Sequence, residues 1–227
     1  PATRRLKKIL LTASGGPFFG QTKEQLQEVT PAMALRHPSW KMGAKITVDC
    51  ATMMNKGLEI MEAVRLFDLP ENRIDVLIHR ESIVHSMIEF DDNSVLAQLG
   101  LPDMRIAIQY ALTYPDRLPS PVESLDLAQA ATLTFANPDT NTFPATELCR
   151  AAIRADGIYP TVVNAANEIA VHGFLNGTVP FPAIVDVVRG QMEAAVQTEN
   201  PDIETIFEYD RITREKTKRY LESHSLF

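Results

Sequence analysis

The chain has 227 residues, of which 45% are apolar and 22% are charged, and this composition excludes disorder, collagen-like repeats and a pure coiled coil. The 22 Lys and Arg residues against 29 Asp and Glu residues give a net charge of −7, which argues against nucleic acid or an anionic membrane as the partner. The two cysteines, Cys50 and Cys149, lack zinc-type spacing and predict neither a disulfide scaffold nor a structural zinc site, so a reducing compartment is expected. The sequence contains no apolar run of the length that a membrane span needs, and its first residues do not resemble a signal peptide.

The first half of the chain predicts short strands mixed with helices. Thr30-Pro31 is typical of a helix start, because proline at the first helical position lacks an N–H that would have no partner there. Asp91-Asp92-Asn93 predicts the turn of a β-hairpin. The predicted strands cover 6–12, 46–49, 73–79, 82–90 and 94–100, and the predicted helices cover 22–29, 32–36, 53–66 and 102–113.

The second half predicts helices alone. Four prolines, Pro115, Pro119, Pro121 and Pro138, disfavour long regular elements and indicate a linker over 114–139, with its apolar residues docked rather than free. Helices are then predicted over 144–155, 160–175, 182–196 and 203–223. The fold class is therefore α+β, with a mixed sheet and helices over 1–113 followed by a C-terminal helical bundle over 140–227.

The densest group of chemistry-bearing residues begins the predicted helix 53–66. A helix start presents free backbone N–H groups to an anion, and Asn55 and Lys56 would add a side-chain donor and a full charge. Glu59 lies four residues beyond Asn55 on the same face, placed to hold a divalent metal. The alternative is that Asn55 caps the helix while Lys56 and Glu59 are solvated.

Other candidate residues are weaker by themselves. Ser14-Gly15-Gly16 after a strand allows close approach of backbone to an anion, but such triplets are often only turns. His37 has a side chain suited to proton exchange, although a solvated role is the alternative. His85, in the predicted hairpin, favours a structural role. Trp40 with Met42 would form either a lid over a ligand or part of the core.

Several segments together resemble 1-deoxy-D-xylulose 5-phosphate reductoisomerases. They are LTASGGPF, RHPSWKMG, KITVDCATMMNKGLE, HSMIEF, VLAQLGLPDMR and VNAANEIAV, in that order along nearly the whole chain. The resemblance implies NADPH-dependent rearrangement and reduction of 1-deoxy-D-xylulose 5-phosphate to 2-C-methyl-D-erythritol 4-phosphate, in the non-mevalonate pathway to isoprenoids. It also implies a divalent metal (Mg²⁺, Mn²⁺ or Co²⁺), inhibition by phosphonohydroxamates of the fosmidomycin type, and a cytoplasmic homodimer. Residues 1–113 would then be the remainder of a mixed-sheet catalytic domain with a flexible lid loop, and 140–227 the C-terminal helical domain.

The resemblance also implies roles for individual residues. Glu59, His37 and His85 would be catalytic, and Glu59 would ligate the metal. The substrate would be bound by Ser14, His37, Trp40, Cys50, Asn55, Lys56 and Glu59. The cofactor would lie against Met42, Gly43, Pro102 and Met104, with Trp40 and Met42 in a flexible lid.

Two departures from the family are visible. The family usually has serine where this chain has Cys50, and a thiol is the weaker donor. The chain also starts at Pro1 and has no G-x-G-x-x-G fingerprint, so we expect a fragment without the dinucleotide-binding domain, inactive alone, and a plastid origin stays open. The alternatives are a non-catalytic module that binds a phosphorylated ligand and dimerises, and a sugar-phosphate isomerase without a redox step.

Overall fold

The computed structural model describes residues 5–38 and 42–224, so the lid prediction for Trp40 lies outside the described residues. The chain divides into two compact units. Unit one contains the described residues of 1–14, 38–40 and 75–137, and unit two those of 15–37, 41–74 and 138–227. These units cut across the predicted division at 113 and 140, because helices from the first half of the chain pack with helices from the second half. In the described ranges, no helix combines the length and the apolar character that a membrane span requires.

Unit one is built on a four-stranded sheet with the order β2-β1-β3-β4. The pairs β1–β3 and β3–β4 are antiparallel, and β3–β4 is the predicted hairpin. Its elements are β1 (Leu6–Ala13), β2 (Ile74–Ile78, whose first residue belongs to unit two), β3 (Val84–Phe90), β4 (Val95–Leu99), α5 (Met104–Thr113) and α6 (Leu127–Ala130).

One face of this sheet carries the core of unit one. Leu10, Val84 and Met87 are buried together, and Leu77 and Leu133 pack against them. Leu133 comes from the predicted linker, and an isolated bridge between Ile78 and Ala136 continues this docking. The end of the proline-rich segment is therefore docked on the sheet through Leu133 and Ala136, after the short helix α6.

Unit two consists of helices. They are α1 (Lys23–Leu26), α2 (Pro31–Ala34), α3 (Ala44–Thr52), α4 (Met54–Phe67), α7 (Ala145–Ala155), α8 (Tyr159–Leu175), α9 (Ala183–Glu193) and α10 (Ile203–Ser223), with a 3₁₀ turn at Glu71–Arg73. Thr30 caps α2 with proline as its first residue, as predicted, since its side chain accepts from Met33 N. The long helices bury apolar faces on one another, with α8 against α9 and α10, and α4 against α7.

Close packing of α4 on α7 depends on a glycine. A Cβ atom added to Gly57 would lie 2.5 Å from Cys149 Sγ and 3.2 Å from the Ala145 carbonyl oxygen. Cys149 is fully buried, and burial raises its pKa to about 12, so it is an inert packing residue as expected. This contact fixes the helix that carries the candidate site.

The predicted strand 46–49 is wrong, because these residues form the middle of helix α3. Its β-branched residues favoured a strand. In the structure Thr47 and Val48 are buried with Ala51 on the inner face of the helix. The Thr47 hydroxyl donates to the Gly43 carbonyl at 2.8 Å, the i−4 bond that threonine makes in helices. Burial of that face overrides the local preference.

Candidate functional site

The site in unit two is built at the junction of α3 and α4. Met53 ends α3 and caps α4, with a left-handed φ of 65° that is uncommon for a residue other than glycine. The Met54 N–H donates to Thr52 Oγ1 at 3.3 Å, which stabilises the turn. The junction therefore starts a new 14-residue helix directly after α3, and the N–H groups of a first helical turn have no partners inside their helix.

Asn55, Lys56 and Glu59 form one cluster on this first turn. Asn55 Nδ2 donates to Glu59 Oε1 at 2.7 Å, and Lys56 Nζ donates to Glu59 Oε2 at 2.5 Å. Lys56 is 9% exposed, which is rare for a lysine unless it is paired. The alternative is therefore wrong for Asn55 and Lys56, because Met53 occupies the cap position and Lys56 is buried, while the Glu59 side chain is 35% exposed. The three side chains bind each other at the helix start.

The Gly15-Gly16 bend lies against this junction. Both glycines have left-handed φ angles, 76° and 65°. A Cβ at Gly16 would lie 2.7 Å from the Cys50 carbonyl oxygen and 2.9 Å from Ala51 Cα, so only glycine fits. The structure thus brings the end of the predicted Ser-Gly-Gly bend to the residues that precede the Asn55 turn.

Cys50 is half-buried at the end of α3. Burial raises its pKa to about 12; Lys56 opposes this shift, while Asp49 and Glu59 add to it. The thiol is therefore protonated at neutral pH. It can act only as a weak donor beside an anion, not as a nucleophile.

Asp49 and Asn167 form a buried polar pair that the sequence reasoning missed. Asp49 is 2% exposed, and its carboxylate accepts from Lys45 Nζ at 2.6 Å and from Asn167 Nδ2 at 2.9 Å. Burial raises the pKa of Asp49, although Lys45 and Asn167 oppose the shift. The pair ties α3 to α8 next to the junction. The segment VNAANEIAV does contain a hint of this pair, because its central residue Asn167 is a polar residue in a mostly apolar helix.

The other predicted residues of unit two lie around the start of α3. His37 is half-buried, Met42 is half-buried, and Gly43 caps α3. The Gly43 carbonyl accepts from Thr47 N at 3.1 Å. These residues share one stretch of chain with α3.

Unit one contributes a separate set of predicted residues. His85 and Met104 line one cavity of about 750 Å³ together with Tyr110, Tyr114 and others. The His85 Nε2 atom lies 3.2 Å from the Gly100 carbonyl oxygen, which holds the ring beside the start of α5. Pro102 precedes Asp103, whose side chain caps α5 by accepting from Arg105 N. The structure therefore brings His85 and Met104 together.

Ser14 is the last residue of unit one before the bend. Its carbonyl accepts from Arg80 Nη1 at 2.9 Å. This arginine was not singled out in the sequence, because nothing local marks it as different from other surface cations.

The described residues contain no group of three or more His, Cys, Asp or Glu side chains that could hold a metal ion. Glu59 is the carboxylate that stands beside the Lys56 and Asn55 donors. Magnesium commonly uses one or two protein carboxylates and completes its shell with water and substrate oxygens. The donor set therefore fits one protein ligand of such an ion and not a complete protein site.

Fold and site together define a class of protein: an α+β protein with a helix start suited to a phosphate group and one carboxylate beside it suited to a metal. Comparison with known proteins makes the assignment specific. Two protein-family models match the sequence. The family model described as the DXP reductoisomerase C-terminal domain matches residues 99–216, and the one described as the 1-deoxy-D-xylulose 5-phosphate reductoisomerase C-terminal domain matches residues 2–67. The chain belongs to the 1-deoxy-D-xylulose 5-phosphate reductoisomerase family, which confirms the resemblance and the α+β fold class.

Curated relatives carry the same name. The reductoisomerase of Desulfitobacterium hafniense (strain Y51) is 53% identical over 218 residues, which cover 96% of this chain and 57% of the relative. That of Xanthomonas campestris pv. campestris (strain B100) is 50% identical over 226 residues, covering 99% of this chain and 57% of the relative. The chain thus spans little more than half the length of these relatives.

Solved structures of reductoisomerases share the fold of this chain. The Zymomonas mobilis reductoisomerase in complex with NADPH matches with a TM-score of 0.91 at 39% identity, covering 98% of this chain and 57% of that one. A DOX-P reductoisomerase in complex with NADPH, fosmidomycin and magnesium matches with a TM-score of 0.92 at 40% identity, covering 97% and 56%.

Proposed function

We propose that this chain forms the substrate-binding part of an NADPH- and metal-dependent enzyme that converts 1-deoxy-D-xylulose 5-phosphate to 2-C-methyl-D-erythritol 4-phosphate for isoprenoid synthesis. Family membership and neighbours solved with NADPH, fosmidomycin and magnesium support this function. The single observation that carries it within this chain is the cluster of Asn55, Lys56 and Glu59 on the first turn of α4.

The phosphate group is assigned to the start of α4. Asn55 and Lys56 would donate to the phosphate oxygens. Gly16 has no side chain, so the backbone of the bend can lie close to the end of α3 that precedes this helix start. Glu59 pairs with Lys56 and neutralises it. A phosphate group would compete with that carboxylate for the lysine. Cys50 is assigned as a further donor, and the family resemblance supports Ser14 as another substrate-binding residue.

Glu59 is assigned to the metal. When bound, a divalent ion polarises the substrate carbonyl and holds neighbouring oxygens. Phosphate on Lys56 frees Glu59 from its ion pair, and a cation on Glu59 frees Lys56 from the same pair. Binding of the two ligands is therefore expected to be cooperative, because each removes the group that competes with the other.

The remaining assignments concern the reacting end of the substrate and the cofactor. His37 and His85 are assigned to substrate contact and proton movement, and Trp40 to the lid. Met42, Gly43, Pro102 and Met104 are assigned to NADPH. His85 and Met104 already share a cavity in unit one, which supports their joint assignment.

Pairing with a second copy of the chain and a cytoplasmic location belong to the same proposal. Strand β4 is an edge of the sheet, and Val95, Leu96 and Leu99 on it are 47%, 61% and 37% exposed. An apolar edge strand of this kind is normally covered in a native assembly. The net charge of −7 supports neither nucleic acid nor an anionic membrane as the partner.

The experiment is a titration of the chain with 1-deoxy-D-xylulose 5-phosphate, with and without Mg²⁺. We expect Mg²⁺ to strengthen binding about tenfold, within the usual range of coupling between two ligands. Glu59→Gln should abolish this gain, while its metal-free affinity stays equal or rises because Lys56 is released from its carboxylate. Glu62→Gln, on the exposed face of the same helix, is the matched control and should behave like wild type.

An affinity of the wild-type chain that does not respond to Mg²⁺ would contradict the enzymatic assignment. That result would favour a binding module in which Glu59 has no metal to hold.

A further inference from the structure

Unit two contains a cavity that is separate from the cluster of Asn55, Lys56 and Glu59. Its volume is about 300 Å³, and its walls come from α1, the end of α3, the chain before α7 and the start of α9. Every residue that lines it belongs to unit two, so the cavity is formed within one compact unit. Nothing in the proposed function makes use of it.

The floor of this cavity is apolar. It is lined by the buried side chains of Leu26, Phe143, Phe181 and Val185. Phe181 is held in place by an edge-on contact with the Phe174 ring, with centroids 5.6 Å apart. An apolar cavity of about 150 Å³ is large enough to bind benzene. A volume of about 300 Å³ therefore holds one ring together with a short polar arm.

The rim of the cavity carries an excess of positive charge. Its ionisable residues are Lys23, Arg189 and Asp186, which sum to a charge of one. Arg189 Nη1 donates to Asp186 Oδ1 at 3.1 Å, so this pair is neutral and the excess belongs to Lys23. Asp139 stands near Lys23 but does not line the cavity, and its carboxylate accepts from the Thr142 N–H at 3.1 Å. The lining therefore complements a ligand with one negative charge.

One wall of the cavity reaches the junction of α3 and α4. Thr52 is the last residue of α3 and lines the cavity. Its hydroxyl accepts from the Met54 N–H at 3.3 Å and donates to the Asp49 carbonyl at 3.2 Å. A ligand in the cavity would therefore lie against the turn that starts α4, and its binding should be detectable at the backbone amide of Met54.

We propose that this cavity is a second ligand site, which binds a small monocarboxylate with an apolar, ring-sized body on a short carbon arm. The body would lie on Phe143 and Phe181, where it is removed from water, and the carboxylate would pair with Lys23 on the rim. Small-molecule sites commonly combine an apolar lining with a few polar groups that fix the orientation of the ligand. The inference does not rest on the proposed function, because it uses no residue assigned to the phosphate or the metal.

The test is an NMR titration of the chain with 3-phenylpropionate, followed through the backbone amide signals. The matched probes are 3-phenyl-1-propanol, which lacks the charge, and 3-phenylpropylamine, which reverses it. We expect 3-phenylpropionate to bind with a Kd of about 1 mM, as is usual for a ligand of this size, and to shift the amide signals of Thr52 and Met54. The alcohol should bind about fivefold more weakly, the upper value for one exposed ion pair, and the amine more weakly still.

Variants separate the two parts of the site. Lys23→Gln should weaken 3-phenylpropionate about fivefold and leave the alcohol unchanged. Lys218→Gln is the matched control, since Lys218 is an exposed lysine of α10 that does not line the cavity, and it should bind both probes like wild type. Val185→Phe should fill the cavity and abolish binding of all probes. If that variant does not fold, Gln27→Trp, at an exposed position of the lining, serves as the second blocking variant.

The outcomes that overturn the inference are distinct. No binding of 3-phenylpropionate at about ten times the expected Kd overturns it entirely. Binding that leaves Thr52 and Met54 unshifted, or that persists in a folded blocking variant, shows that the ligand lies elsewhere. Equal binding of the three probes, or an unchanged affinity in Lys23→Gln, overturns the assignment of a carboxylate. None of these results bears on the proposed function, which the titration with 1-deoxy-D-xylulose 5-phosphate tests separately.

Discussion

Gly57→Ala tests the packing that holds the candidate site in place. Gly57 lies between Lys56 and Glu59 on α4, and an added Cβ would lie 2.5 Å from Cys149 Sγ and 2.9 Å from Cys149 Cβ. Alanine in a helix interior is favoured over glycine by about 1 kcal/mol. Overpacking of a tight core costs about 1–3 kcal/mol. The substitution should therefore lower the free energy of unfolding by about 1 kcal/mol, even though alanine is the better helix former.

Gly190→Ala gives the matched control. Gly190 is exposed on α9, and an added Cβ would meet nothing within 4 Å. The same chemical change should here raise the free energy of unfolding by about 0.5–1 kcal/mol. The difference between the two variants isolates the steric term, about 2 kcal/mol, from helix propensity.

The assay is equilibrium urea unfolding followed by circular dichroism, extended to a double-mutant cycle with Cys149→Ala. Removing Sγ takes away the shorter of the two contacts but leaves Cβ, so rescue should be partial, with a coupling of about 1 kcal/mol. If Gly57→Ala and Gly190→Ala change the free energy of unfolding in the same direction and by the same amount, α4 and α7 are not as close as described. The argument for a fixed helix start then fails.

Two further predictions concern the neighbourhood of the site and the support of α7. Cys50→Ser in the complete enzyme should lower the KM for the substrate about fivefold. A hydroxyl donates more strongly than a thiol, and a hydrogen bond to a charged group contributes about 1 kcal/mol or more. An unchanged KM would mean that the Cys50 side chain only packs there. Glu71→Gln should lower the free energy of unfolding by about 2 kcal/mol at neutral pH, because Arg150 donates to the Glu71 carboxylate at 2.6 Å and is left in a mostly buried position. Burial alone would raise the pKa of Glu71, but hydrogen bonds from Arg150 and Arg154 lower it overall. The stability that the Glu71 carboxylate contributes is therefore present above pH 4.5 and is lost as pH falls through the lowered pKa of the folded state. A difference between wild type and variant that grows as the solution is acidified would show the sign to be wrong.

Local signals in the sequence predicted most elements of the fold. The Thr30-Pro31 helix start, the Asp91-Asp92-Asn93 hairpin and the helix 203–223 are confirmed, because each depends on residues within a few positions of one another. The segment 46–49 failed for the opposite reason. Its β-branched residues read locally as a strand, while the buried face of Thr47, Val48 and Ala51 that makes it a helix depends on partners elsewhere in unit two.

The same holds for the candidate site: its local contacts could be predicted from the sequence, and its distant contacts could not. Asn55, Lys56 and Glu59 could be found in the sequence, since a spacing of three and four residues places side chains together on any helix. Asp49 and Asn167 are 118 positions apart, and Arg80 is 66 positions from Ser14, so no spacing rule joins them. Of these two contacts, the one between Asp49 and Asn167 ties α3 to α8 within unit two, next to the local cluster. A helix start binds an anion only if its position relative to the bend is fixed, and in this chain that position depends on a buried carboxylate and on a glycine with no room for a methyl group.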